Sequence, residues 1–222
     1  MAVELRCRSG RILGLMASVL FVSLAGCTGS MTSGSSLHAS PITTLHDAIA
    51  ALEAETSYSL TVTDSTAGPG GTSEVYKVDI QRPDRISITG GMNVIAIGST
   101  GYFRAGSNGW TTVHHAGEST NFTNDLLMYI DILKRATSAT RNGDTYTIPA
   151  AEAARLLVST GQPRFQNASD VSLSAIITGG LVKSVTLHAG GALPISATTT
   201  VAKVGSSPAV EAPPKGRILS AS

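Results

Sequence analysis

Apolar residues recur first at helical spacing and then at every second position along the chain. The helical stripe consists of Ile42, Leu45, Ile49 and Leu52. Ser40 and Pro41 stand just before it, and this pair is typical of a helix N-terminus because serine caps the first turn and proline fits its start. The pattern predicts an amphipathic helix that begins near residue 41 and covers a sheet.

Strict alternation follows in three segments, SLTVTD, EVYKVDIQ and RISITG, which begin at Ser59, Glu74 and Arg85. Polar residues oppose the apolar ones, so each segment is predicted to be a strand with one wet face. The next segment, NVIAIG, is apolar on both faces from Val94 to Ile97. We therefore expect it to be covered on two sides and to be the most buried strand.

Turn residues predict how these strands connect. Asn108-Gly109, Asn142-Gly143 and Gly179-Gly180 are signals of two-residue hairpins, so the strands should run antiparallel as a meander. Two helical stretches, Phe122–Arg135 and Pro149–Val158, interrupt the meander, and a strand over about 195–204 closes it. The fold class predicted is α+β.

A long antiparallel sheet curls, and helices must cover its concave face or leave a cavity there. The sequence leaves a packed core and an apolar pocket open, although an aromatic content of only 5% favours free volume. Ala175 has a small side chain that would leave room for a guest. The candidate lining residues are Leu60, Val62, Tyr76, Val78, Ile80, Ile86, Ile88, Val171, Leu173, Ala175 and Ile177.

The N-terminus predicts export and an anchor. Arginines at positions 6, 8 and 11 precede an apolar run of signal-peptide length, Ile12–Ser23, which is short for a bilayer span. Leu24-Ala25-Gly26-Cys27 then matches the bacterial lipoprotein box. We interpret residues 1–26 as a lipoprotein signal peptide and Cys27 as the lipidated first residue, held at the extracytoplasmic side of the cell membrane. The alternative is an ordinary signal peptide with a chance cysteine.

Residues 27–40 are predicted to be a flexible tether, because Ser, Thr and Gly dominate them, and residues 41–222 to be a single domain. The other cysteine, Cys7, lies in the leader, so the mature chain forms no internal disulfide. Removal of residues 1–26 takes away three of 16 basic and one of 15 acidic residues and leaves 13 against 14. This balance argues against a nucleic-acid partner.

Catalytic motifs are missing from the sequence. It contains no G-x-S-x-G elbow, no H-E-x-x-H, no C-x-x-C and no phosphate-binding loop. His114 and His115 are adjacent, and neighbours in a strand point to opposite faces, so they are badly placed to share a metal ion. We expect no enzyme activity, no cofactor and no metal site.

Several motifs resemble one family. After the lipoprotein box and tether come Y-K-V-D-I-Q-R-P-D-R-I from Tyr76, V-I-A-I-G-S-T-G-Y-F-R from Val94, then Asn108-Gly109-Trp110, and A-P-P from Ala212. Together they resemble the LppX/LprG type of mycobacterial-style envelope lipoproteins, within the LolA/LolB-like superfamily, over nearly the whole mature chain.

This resemblance implies an antiparallel open half-barrel with helices covering its concave face. It also implies a membrane-anchored protein that binds or transfers an acylated lipid or glycolipid in an apolar cavity within the cell envelope, without catalytic residues. In other relatives the same architecture serves as a sensing or interaction module. The alternative function is therefore a non-enzymatic module that binds an envelope protein partner.

We predict that Cys27→Ala abolishes acylation and lipoprotein-type processing, because the thiol receives the diacylglyceryl group before the leader is cut. The variant should lose the mass of the lipid, keep its leader and leave the detergent phase of a two-phase extraction. Stable anchoring requires more than one acyl chain, which a lipoprotein cysteine supplies. Unchanged mass together with normal membrane retention would contradict the anchor.

Overall fold

The first helix forms where the sequence predicts it. The structure, a computed structural model, describes residues 39–67, 71–113, 127–191 and 194–219. Helix α1 spans Pro41–Ala54, and the Thr43 N–H donates to the Ser40 hydroxyl at 3.3 Å. Its buried face contains Leu45, Ala48, Ile49 and Leu52. The predicted stripe is confirmed, with Ile42 packed half-buried beside it.

Within the described ranges, all strands belong to one sheet of eleven strands. Their bounds are β1 Ser57–Thr66, β2 Ser73–Gln81, β3 Arg85–Thr89, β4 Met92–Ile97, β5 Thr100–Ala105, β6 Thr111–Val113, β7 Thr140–Asn142, β8 Thr145–Ile148, β9 Ser169–Thr178, β10 Leu181–Gly190 and β11 Ile195–Ala202. Helix α2, described over residues 127–134, lies between β6 and β7, and α3, Ala150–Val158, lies between β8 and β9.

Two meanders make up this sheet. The strand order is β6-β5-β4-β3-β2-β1-β11-β10-β9-β8-β7, and neighbouring strands pair antiparallel. The pair β1–β11 joins the two meanders. In the described part of the chain, β6 and β7 are the outermost strands and do not pair with each other, so the sheet stays open. The predicted fold class, an α+β open antiparallel sheet with helices, is confirmed.

The hairpin predictions have mixed outcomes. Gly179 and Gly180 form the two-residue loop between β9 and β10, with φ of 61° and 74°, as expected for a turn that needs two left-handed residues. The loop between β7 and β8 is Gly143-Asp144, one residue later than predicted. Residues 106–110 connect β5 to β6, so the prediction of a two-residue turn there was wrong. Gly106, with φ of 60°, supplies the left-handed residue instead of Asn108.

Burial is uneven along the sheet. Helix α1 packs against β10 and α3 against β9, so the half of the concave face nearest these strands is closely covered. Val94 of β4 is buried, whereas the three residues that follow it are half-exposed. The prediction that β4 is the most buried strand was therefore wrong. β4 is less buried than expected because it lies near the β6 edge of the sheet, away from α1 and α3.

The C-terminal segment runs across the strand ends after β11. The Gly205 N–H donates to the Ser57 carbonyl at 2.7 Å, and the Ser207 hydroxyl donates to the Ile80 carbonyl at 3.1 Å. Val210 is 1% exposed and has its N–H bound to the Gln81 side chain at 2.9 Å. This segment therefore belongs to the fold.

Polar contacts connect the end of α2 to α1. Lys134 forms a 2.8 Å ion pair with Glu53 of α1, and the His46 ring nitrogen lies 3.1 Å from the Ala136 carbonyl. The predicted stripe of α2 is buried at Ile130 and Leu133. Its first two residues, Phe122 and Leu126, lie outside the described residues.

Glu152, in the first turn of α3, accepts three hydrogen bonds from the loop after α2. The Ser138 hydroxyl donates at 2.5 Å, and the Thr137 N–H and hydroxyl donate at 2.5 and 2.7 Å. These bonds, the Ser138 bond first, lower the pKa of the Glu152 carboxyl to about 2. The three bonds lie at the protein surface, where solvent reduces the free energy that they contribute.

We predict that Glu152→Gln lowers the free energy of unfolding by about 1–2 kcal/mol at neutral pH, because charge-assisted bonds are lost. A carboxyl whose pKa is lowered by folding stabilises the protein above its unfolded pKa. The difference between wild type and variant should therefore shrink as pH falls from about 4.5 toward about 2. Urea unfolding of both proteins at a series of pH values measures this difference in the free energy of unfolding. The exposed Glu211→Gln is the matched control, and a difference that does not change with pH would contradict the prediction.

Candidate functional site

Residues on the concave face line up in rows across the strands. One row runs from β1 to β5 through Tyr58, Ile80, Ile86, Ala96 and Gly101, each opposite the next in register. The first three side chains are large, and the last two residues are small. The row therefore forms a floor that becomes hollow toward β4 and β5.

A pocket of about 250 Å³ lies on this floor, at the end of the β2–β3 hairpin. Leu127, the first described residue of α2, forms part of its wall, and the hairpin turn forms its rim. Its lining residues are Tyr58, Ile80, Gln81, Arg82, Pro83, Asp84, Arg85, Ile86, Ala96, Gly98 and Leu127. We call this the hairpin pocket. Its floor is apolar, and its charged residues lie in the turn and at the first position of β3.

Charge at the rim is mostly positive. The Arg82 guanidinium lies 6.0 Å from the centre of the Tyr58 ring, and the Arg85 guanidinium donates to the Val210 carbonyl at 3.1 Å. Burial raises the pKa of the Tyr58 hydroxyl, and Arg82 opposes that rise. Tyr58 therefore stays neutral at physiological pH. A neutral apolar floor below an arginine-bearing rim suits an amphiphile whose polar end remains at the mouth.

The predicted lining residues all lie on the concave face, but the hairpin pocket uses only two of them. Ile80 and Ile86 line the pocket. Nine of the eleven are buried core residues, whereas Tyr76 and Ile86 are half-buried against that core. Ala175 is 1% exposed and stands in register between Val185 and Tyr146. It belongs to the buried core and does not line the hairpin pocket, so its role as a cavity-lining residue stays a prediction.

Sequence reasoning missed several residues of the hairpin pocket. Tyr58 continues the alternation of Leu60 and Val62 and could have been found by extending that strand by two residues. Ala96 lies inside the NVIAIG strand, which the sequence analysis expected to be covered on both sides. Arg82 and Arg85 border a turn and carry no motif. Only the register of four strands brings these residues together.

The described residues contain no cluster of three or more His, Cys, Asp or Glu side chains that could hold a metal ion. They also include no helix long and apolar enough to cross a bilayer. His114 and His115 lie outside the described ranges, as does Cys27, so the predictions that concern them remain predictions.

Thr199 of β11 places a hydroxyl in the middle of the apolar face. It is 0% exposed, stands between Val62 and Val185 in register, and its Oγ1 has no hydrogen-bond partner in the described part of the protein. Unpaired buried hydroxyls cost free energy because they lose their bonds to water. Thr199 is thus a polar point in an otherwise apolar surface.

Comparison with known proteins finds likeness among solved structures. No protein-family model and no curated protein matches the chain. Lipoprotein LppX of Mycobacterium tuberculosis is similar, with 16% identity and a TM-score of 0.44 over 77% of this chain and 98% of that one. LprF of Mycobacterium bovis has 12% identity and a TM-score of 0.43 over 78% and 96%. A LolA superfamily protein of Nitrosomonas europaea has 8% identity and a TM-score of 0.33 over 74% and 92%.

We predict that Thr199→Val raises the free energy of unfolding by about 1 kcal/mol, since an isosteric methyl group replaces an unpaired buried hydroxyl. Thermal and urea unfolding measure the change. Thr200→Val, at the exposed neighbouring position, is the control and should have little effect. A loss of stability in the Thr199 variant would mean that the hydroxyl has a bonding partner.

Proposed function

We propose that this protein binds a lipid by inserting part of an acyl chain into the hairpin pocket, and that it carries or presents this lipid within the cell envelope. The observation that carries the proposal is the pocket itself, which has an apolar floor of Tyr58, Ile80, Ile86 and Ala96 below a rim that bears arginines. Such a site offers no nucleophile paired with a base among its lining residues. It is suited to binding and not to bond making.

The apolar floor supplies the affinity. Burial contributes about 0.8 kcal/mol per methylene, so a long acyl chain can supply on the order of 10 kcal/mol without any charged contact. Half-exposed apolar side chains elsewhere on the same face, among them Phe103 and Tyr76, extend the surface that a chain could cover. Affinity therefore comes from chain length and not from a particular headgroup.

The rim decides which end of the lipid faces outward. Arg82 and Arg85 outnumber Asp84 at the mouth, so a polar or anionic headgroup is favoured there over a cationic one. Arg85 donates to the Val210 carbonyl and Arg82 is hydrogen-bonded to the Tyr58 hydroxyl, and each guanidinium keeps further N–H donors for a headgroup. We propose that the headgroup lies beside Arg82 and Arg85 while the acyl chain lies on the floor.

We also propose that Cys27 is acylated and anchors the protein at the extracytoplasmic side of the membrane. The chain from His38 onward forms one compact unit. The tether predicted for residues 27–40 would then keep the folded part within roughly 20 Å of the bilayer from which a lipid is taken.

Mass spectrometry of lipids extracted from the protein tests the proposal. The chain beginning at His38 lacks the anchor, so any acyl lipid that co-purifies with it must occupy the folded part. We expect a bound acyl lipid that disappears after delipidation and returns on incubation with membranes. A protein that never carries lipid would instead favour the alternative, a module that binds an envelope protein.

We predict that Ala96→Phe fills the hairpin pocket and removes uptake of a fluorescent acyl lipid, with little change in thermal unfolding because the new ring occupies free space. The matched control is Ala175→Phe on the same concave face, at a buried core position outside the hairpin pocket. That change should cost about 1–3 kcal/mol by overpacking. Uptake by its folded fraction should persist. Full lipid uptake by a folded Ala96→Phe variant would contradict the assigned pocket.

A further inference from the structure

A second pocket lies away from the concave face, between the β5–β6 connection and the C-terminal segment. Its volume is about 320 Å³. Its lining residues are Arg104, Ser107, Asn108, Gly109, Trp110, Gly216, Arg217, Ile218 and Leu219. We call it the tail pocket. It shares no lining residue with the hairpin pocket, so it can bind a ligand independently.

Backbone pairing builds this pocket. The Trp110 N–H donates to the Arg217 carbonyl at 2.8 Å, and the Leu219 N–H donates to the Trp110 carbonyl at 2.7 Å. Gly109 permits this close approach, because a Cβ there would lie 2.8 Å from the Leu219 side chain. Main-chain hydrogen bonds thus hold the C-terminal segment against the start of β6. The Arg217 side chain takes no part in this pairing and is exposed.

Arg104 lines the tail pocket from the β5 side. Phe103 before it packs against the core, so Arg104 points to the opposite, convex face of β5. Its guanidinium carbon lies 4.9 Å from the centre of the Trp110 ring. Its Nε is buried and has no hydrogen-bond partner in the described part of the chain. A guanidinium that is stacked, partly desolvated and unpaired favours an anion beside it.

Charge in the tail pocket has one sign. Two arginines line it, and none of its lining residues is Asp or Glu. The ion pairs of the described residues involve neither arginine. The Asn108 amide and the Ser107 hydroxyl add neutral donors. Arginine stays charged at every physiological pH, so the positive charge is permanent.

We propose that the tail pocket binds a phosphate ester, with Arg104 and Arg217 as its charged donors. Planar guanidinium groups match the oxygens of phosphate, and the pocket is larger than a bare phosphate, so the ester's organic part fits as well. The ester could be a phospholipid headgroup or a soluble phosphorylated compound. The shared chemistry is the phosphate group in either case.

Equilibrium dialysis of radiolabelled inorganic phosphate against the full chain tests the site, at constant ionic strength. Trp110 is the only tryptophan of the sequence, so its fluorescence reports on the same pocket. We expect saturable binding that weakens by about tenfold or more in Arg217→Gln, because a charge-assisted contact is lost. Arg104→Gln should weaken it as well.

Arg141→Gln is the matched control. Arg141 also stacks on an aromatic ring, 5.5 Å from the centre of Tyr146, but its Nε already donates to the Gly143 carbonyl at 2.7 Å. Phosphate binding should survive this change. Absence of saturable phosphate binding, or binding that neither Arg104→Gln nor Arg217→Gln weakens, would overturn the proposal.

A second titration distinguishes a lipid headgroup from a soluble phosphate ester. It compares glycerol 3-phosphate with short-chain phosphatidylglycerol kept below its micelle concentration. Tighter binding of the short-chain lipid, sensitive to Arg217→Gln, would identify a lipid headgroup, since Ile218 and Leu219 would contact its glycerol and first methylenes. Equal binding of the two would identify a soluble phosphate ester. Both results support the phosphate site. If Arg217→Gln binds both compounds as tightly as the wild type does, that result counts against the site.

Discussion

The pairing of β1 with β11 is the contact on which the rest of the structure depends. Eight residue pairs, from Ser59–Ala202 to Thr66–Ile195, join two meanders that are each local in sequence. Without this pair the described strands would form two separate sheets, one of six strands and one of five. With it, one apolar face runs from β6 to β7, and α1, α2 and α3 share a single core.

That shared face is not uniform, and the difference explains where a ligand has room. Around β9 and β10 the facing residues are covered by α1 and α3, and side chains such as Leu173 and Leu187 are 0% exposed. Around β4 and β5 the small residues Ala96 and Gly101 end the row that carries the hairpin pocket. Fully buried core residues and the hairpin pocket thus occupy different parts of one sheet.

The sequence predicted what depends on neighbours along the chain and failed where distant segments meet. The helix at Ser40 and Pro41 and the hairpin at Gly179-Gly180 follow from local rules, and both are confirmed. The pairing of β1 with β11 was not foreseen, because alternation predicts a strand but not its partner. Burial of β4 was misjudged for the same reason, since an apolar strand near a sheet edge looks the same in sequence as a central one.

The residues of the candidate sites could be predicted only in part, for the same reason. Ile80 and Ile86 were predicted as lining residues from alternation alone. Arg82 also lines the pocket, but only because the β2–β3 turn places it there. Val210 gave no signal, because a single apolar residue in a segment with several prolines has no period to detect. Its burial, and the bond between its N–H and Gln81, arise from contacts with strands far away in sequence.

The central position of β11 has a consequence for how the protein is made. Because β1 emerges near the start of the chain and β11 near its end, β1 must wait with one edge unpaired until most of the chain has been synthesised. Closing so long a loop is slow, and an unpaired strand edge invites pairing with other chains in the meantime. Folding must therefore be completed late, and a chaperone that shields the first meander would protect the molecule when it is most exposed to aggregation.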